Sequence, residues 1–123
     1  MILGTGTDIV EVERIQKAIE KNDHFKLRVF STVEIAYCEQ KINKYESYTG
    51  RFAAKEAFFK ALGSGWRGKL SFSEVSVENN ELGKPSIFLS GETANAVEGS
   101  AVIHVSISHT KDFATAIVII EKP

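Results

Sequence analysis

Residues 50–65, GRFAAKEAFFKALGSG, constrain the fold most, because their apolar residues recur at a single spacing. Ala54, Ala57, Phe58, Ala61 and Leu62 fall at i, i+3, i+4, i+7 and i+8, one face of a helix. Gly63 follows as a terminator. At about 100° per residue, Glu56 projects opposite the apolar stripe, and Lys60 lies one turn beyond it on the same face. Taken alone, such a pair is a surface ion pair worth a few tenths of a kcal/mol. Phe52 and Phe59 flank Glu56, however, and a solvated face has no need of them. The pattern predicts a helix between a core and a second, partly apolar surface, either a substrate cleft or a subunit interface.

The chain opens MILGTGTDIVEVERI, and Ile2 to Val10 predict a strand. Gly4 and Gly6 inside it mark a bulge or a close approach of other groups. Asp is depleted in strands. Asp8 is therefore either the N-cap of a helix beginning at Ile9 or a placed functional group. Ile9–Val10 reads better as strand, while Val12, Ile15 and Ile19 begin a helical period.

At 123 residues, with 43% hydrophobic and 25% charged, the chain has the size and composition of one soluble domain spanning residues 1–123. A net charge of −1 gives no global field for nucleic acid or membrane. The single cysteine, Cys38, permits no intrachain disulfide, and its spacing to Ile35 and Ile42 predicts a core thiol. No apolar run is long enough to span a bilayer, and charges at Asp8, Glu11 and Glu13 disrupt any signal pattern. A cytoplasmic location is expected.

A helix is predicted over residues 11–21, with Val12, Ile15 and Ile19 inward and Arg14, Lys17 and Lys21 outward. A short helix follows over 24–30. Ser31 and Glu34 have capping-box spacing before a helix over 33–41. Residues 41–49 are polar and predict a loop, and the long helix is expected from about Tyr48 or Arg51 to Leu62. Val75 and Val77 alternate with polar neighbours as a strand does, NNELGKP is a turn, and Ile87 and Leu89 continue as strand. A short helix near 92–97 precedes two strands, 101–108 and 113–120, around the turn HTKD. The order predicts an α+β fold, with helices packed on a mainly antiparallel sheet.

GSGWRGK at 63–69 nearly fits a phosphate loop, but Leu70 replaces the magnesium-binding hydroxyl and the segment follows a helix, which excludes a nucleotide triphosphatase. Its backbone N–H groups are still suited to a phosphate. His109 ends a strand and by itself reads as structural. The three histidines lack metal spacing, so any metal would be oxygen-bound, Mg²⁺ rather than Zn²⁺. Arg14, Lys17, Lys21, Lys26 and Arg28 interleave with acids, which is either a solvated surface or a dock for an acidic helix.

GTGTDIVEVERI, GRFAAKEAFFKALGSG and SISHT together resemble the holo-acyl-carrier-protein synthase family, and FSTVEIAYC and NNELGKP also fit, in order, over essentially the whole chain. The resemblance implies a 4′-phosphopantetheinyl transferase fold and activity. The enzyme would move 4′-phosphopantetheine from coenzyme A to a serine of apo acyl carrier protein. It would release adenosine 3′,5′-bisphosphate, in fatty acid biosynthesis. The resemblance further implies a homotrimer with active sites between subunits. It implies Mg²⁺ on Asp8 and Glu56, with Lys60 as the third catalytic residue. Lys60, Gly63, Gly65, Lys84, His109 and Arg51 would hold coenzyme A, and Arg14, with Lys17 and Lys21 beside it, would meet the carrier. A serine attacking a diphosphate needs alignment and charge neutralisation more than covalent help, which suits two carboxylates and a lysine. The rivals are a non-catalytic scaffold for a coenzyme A-like ligand, and a broader transferase of about twice this length.

Overall fold

The computed structural model of the chain describes residues 1–63 and 71–123. It has the expected α+β order. Strand β1 (Ile2–Glu11) runs directly into α1 (Val12–Lys21), followed by α2 (Asp23–Val29), α3 (Thr32–Glu39) and the long α4 (Lys44–Leu62). A 3-10 turn (Phe72–Glu74) leads into β2 (Val75–Asn79), β3 (Pro85–Leu89), α5 (Gly91–Asn95), β4 (Val102–His109) and β5 (Phe113–Glu121). The strands form two antiparallel sheets, one of order β1-β5-β4 and a β2–β3 hairpin. No helix among the described residues is long and apolar enough to cross a membrane.

Period-two alternation sets the faces of β1. Gly4, Gly6, Asp8 and Val10 turn inward, while Thr5, Thr7 and Ile9 are exposed. Helix α4 lies across the inner face, and the glycines determine how closely. A Cβ on Gly4 would sit 1.9 Å from the Ala61 carbonyl oxygen, and one on Gly6 would sit 1.9 Å from that of Ala57. Helix backbone therefore touches strand backbone, which only glycine permits.

The expected loop at 41–49 is helical instead, since α4 starts at Lys44. Its first turns look polar in sequence, but Tyr48 and Thr49 are fully buried, and Thr49 Oγ1 donates back to Tyr45 O at 2.6 Å. Cys38 is buried as expected, at 3.2 Å from Ser47 Oγ. Ile42 does not join it. Helix α3 ends at Glu39, and Ile42 is fully exposed.

The second apolar surface expected around Glu56 also has a different origin. Phe52 and Phe59 are both buried within this chain. Phe52 stacks on Phe72 at 5.7 Å and approaches Phe25 at 6.2 Å, while Phe59 meets Phe58 and Phe72 edge-on. Helix α4 is buried over most of its surface because the sheet covers one side and α1, α2, α3 and the 3-10 turn cover the other.

An ion pair lies inside that packing. Lys55 Nζ is 2.6 Å from Glu34 Oε1 and donates to Val29 O at 2.8 Å and Phe72 O at 2.9 Å. Glu34 completes the α3 capping box through Ser31 N, and its other oxygen accepts from Val77 N at 2.8 Å. Both residues are wholly buried. Their desolvation is offset because several polar groups converge on the pair, which joins α2, α3, α4, β2 and the 3-10 turn.

Candidate functional site

The inward face of β1 that presents two glycines to α4 presents Asp8 two residues later. The close approach allowed by Gly4 and Gly6 thus brings Asp8 beside the exposed end of α4. Lys60 Nζ is 3.1 Å from Asp8 Oδ1 and donates to Thr7 O at 2.9 Å. Glu56 lies one turn before Lys60, half-buried. Burial raises its carboxyl above the usual range, and the negative charge of Asp8 raises it further, while Arg14 and Lys60 oppose the shift. The Arg14 guanidinium sits 5.5 Å above the Phe52 ring, at the border of this cluster. The structure therefore brings together Asp8, Glu56, Lys60 and Arg14 from three elements. Asp8 is not a helix cap, for it pairs with Ala116 of β5 within the sheet.

Two carboxylates supply hard oxygen donors. Among the described residues no group of three or more metal-ligating side chains is gathered. The donor set therefore suits an ion that keeps most of its waters and takes one or two carboxylates plus substrate phosphate, as Mg²⁺ does.

The other expected contacts gather elsewhere. Arg51 is buried, with 5% of its surface exposed. Its guanidinium donates to Ser47 Oγ at 3.2 Å and to Asn79 Oδ1, and lies 4.3 Å above the Tyr37 ring. Arg51 Nε is buried without a hydrogen-bond partner. With Tyr37, Lys41, Asn79 and His109, Arg51 lines a cavity of about 290 Å³. His109 ends β4, its Nδ1 2.9 Å from Glu46 Oε1. Lys84 is exposed in the β2–β3 turn, between Gly83 and Pro85 of the same cavity wall. Gly63 caps α4 in the left-handed region at φ 85°, its N–H shared between Phe59 O and Lys60 O. Gly65 and the rest of the phosphate-loop-like segment lie outside the described residues.

Of the basic residues on α1, Lys17 is paired with Glu13 at 2.7 Å, Lys21 stands in the last turn, and only Arg14 reaches the carboxylate cluster. Sequence reasoning passed over Lys55, although Phe52, Lys55 and Phe59 share one helical face at i, i+3 and i+7. A lysine between two phenylalanines there was the available signal. Tyr37 and Asn79 lie within the segments FSTVEIAYC and NNELGKP but were not singled out there, and Glu46 carried no signal, since its contact is with a residue distant in sequence.

The pattern of the 4′-phosphopantetheinyl transferase superfamily matches residues 4–118. This chain belongs to that superfamily. Among similar transferases, the holo-(acyl-carrier-protein) synthase of Solibacter usitatus is 47% identical over 98% of this chain and 99% of its own. That of Clostridium tetani is 46% identical over 98% and 97%. The crystal structure of the Neisseria meningitidis synthase superposes with a TM-score of 0.90 at 36% identity, covering 99% of this chain and all of that one. The Bacillus anthracis synthase in complex with coenzyme A (3′,5′-ADP) superposes with a TM-score of 0.84 at 37% identity, covering 100% and 99%. Relatives that similar over their full length extend the likeness beyond any one motif.

Proposed function

We propose that this chain, as one transferase domain over residues 1–123, moves 4′-phosphopantetheine from coenzyme A to a serine of apo acyl carrier protein. The observation that carries the proposal is the Asp8–Glu56–Lys60 cluster, held together by the glycine contact between β1 and α4. The relatives' names and the coenzyme A complex of one of them support it. The reaction is placed in the cytoplasm, where it supplies fatty acid biosynthesis with a charged carrier.

Asp8 and Glu56 would hold Mg²⁺. Bound there, the ion supplies charge neutralisation to the diphosphate. The serine oxygen forms a bond to the β-phosphorus as the bond to the bridging oxygen breaks, and adenosine 3′,5′-bisphosphate leaves. The serine proton passes to Glu56 or to a water beside it. Lys60 is placed to offset charge on the departing phosphate. Arg14, exposed at the rim, offers an acidic carrier helix a cation beside the carboxylates.

A homotrimer with shared sites is part of the proposal. Asp8 belongs to β1 and His109 to β4, the two opposite edges of one sheet. In one copy the carboxylate cluster and His109 of the Arg51 cavity thus stand at different edges of that sheet. The outer face of the sheet is also uncharged over Thr5, Thr7, Ile9, Thr115 and Ile117, with Ile9 64% exposed. Packing that face between copies would join one copy's carboxylates to its neighbour's cavity, where Arg51, His109 and Lys84 would contact coenzyme A.

The test is the intact mass of apo acyl carrier protein incubated with the protein, coenzyme A and Mg²⁺. One added phosphopantetheine is expected, and an unchanged mass would refute the proposal. Mixing Glu56→Ala with His109→Ala checks the shared site, since mixed trimers should regain part of the activity that each lacks.

A further inference from the structure

The contact between His109 and Glu46 joins the end of β4 to the first turn of α4, 63 residues apart. Its position is unusual for a surface pair. Glu46 lines a cleft of about 540 Å³ together with Tyr45, Asp112 and Phe113. His109 lines the neighbouring cavity of about 290 Å³ with Arg51. The pair thus forms the ridge between the two. The Glu46 side chain is only 21% exposed.

A carboxylate only accepts hydrogen bonds, so Nδ1 of His109 must carry a proton whether the ring is neutral or charged. That leaves Nε2 as the nitrogen for a ligand, and among the described residues it has no hydrogen-bond partner. A free imidazole divides its proton between two nitrogens and its ring among several rotamers. Here one carboxylate fixes both.

We propose that Glu46 is a positioning residue. It holds His109 in one tautomer and one orientation, so that Nε2 is presented to coenzyme A in the Arg51 cavity. The proposal rests on the assignment of that cavity to coenzyme A. Glu46 touches neither the substrate nor the reacting atoms, so its loss weakens coenzyme A binding and spares the chemical step.

The experiment measures KM for coenzyme A, KM for the carrier and kcat in Glu46→Ala, Glu46→Gln, His109→Ala and the double variant Glu46→Ala/His109→Ala. Glu46→Ala should raise the coenzyme A KM about tenfold, the loss expected for a charge-assisted hydrogen bond. Carrier KM and kcat should hold. Glu46→Gln keeps an oxygen acceptor and should restore most of the affinity. In the His109→Ala background, removing Glu46 should add nothing. Ring ¹⁵N shifts of His109 should report an Nδ1–H tautomer in the wild type and a shift toward Nε2–H in Glu46→Ala. If Glu46→Ala changes only the melting temperature, leaving KM and the ring shifts as they were, the pair is a structural tie and the proposal is overturned. If His109→Ala leaves the coenzyme A KM unchanged, the assignment of the cavity has failed, and the proposal falls with it.

Discussion

A methyl group on Gly6 should disable the transferase by moving a helix. The added Cβ would lie 1.9 Å from Ala57 O, 2.8 Å from Ala61 N and 2.9 Å from Ala57 C. Ordinary contact begins at 3.4 Å, so strand and helix must separate by about 1.5 Å. The obstructing atoms are backbone, and no rotamer change relieves them. Overpacking of this kind costs about 1–3 kcal/mol, and the upper end applies here. The melting temperature should fall by roughly 10 °C. The larger effect is on chemistry, because Asp8 rides on β1 while Glu56 and Lys60 ride on α4. A misplacement near 1 Å costs about 10²-fold in rate. The assay is kcat for carrier modification beside a thermal melt, with Gly99→Ala as control, since nothing lies within 4 Å of a Cβ there. If Gly6→Ala keeps wild-type kcat while Gly99→Ala does too, the glycine contact does not set the site, and the geometric argument fails.

Glu56→Gln should lose transfer yet melt higher than the wild type at pH 7. Because the folded-state pKa of Glu56 is raised, mainly by burial, stability is fully present below the unfolded value near 4.5 and falls as pH rises through the folded value. The glutamine variant lacks that penalty, so the two melting curves should converge below about pH 4. Lys55→Met should destabilise by about 3–5 kcal/mol in urea unfolding, because it leaves Glu34 as a buried, uncompensated charge, and Lys55→Met/Glu34→Gln should recover part of the loss. Arg14→Glu should raise carrier KM strongly with little change in coenzyme A KM. The wild-type carrier KM should rise with salt, over a Debye length of about 10 Å at 0.1 M.

The sequence made the site more legible than the packing around it. Asp8 stood out because it interrupts a strand beside two glycines, and Glu56 because it opposes a helical stripe. Both signals are local and periodic. The stripe also misled. Helical spacing reports that a second face is apolar, but not what covers it, and Phe52 and Phe59 are covered by Phe25 and Phe72 from this same chain. Local polarity likewise hid the first turns of α4, where Tyr48 buries its ring and donates to Glu39 at 2.6 Å. The Lys55–Glu34 pair and the Arg51–Asn79 contact depend on elements brought together only by the tertiary fold, and no short-range pattern encodes them.

The most direct test of the central claim is single-turnover transfer to apo acyl carrier protein, followed by intact mass, for the wild type, Asp8→Ala and Glu56→Ala. Each is run with Mg²⁺ and again in excess chelator. The account predicts transfer by the wild type with Mg²⁺ alone, and none by either folded variant at saturating Mg²⁺. Undiminished transfer in either variant, or by the wild type in excess chelator, would contradict it.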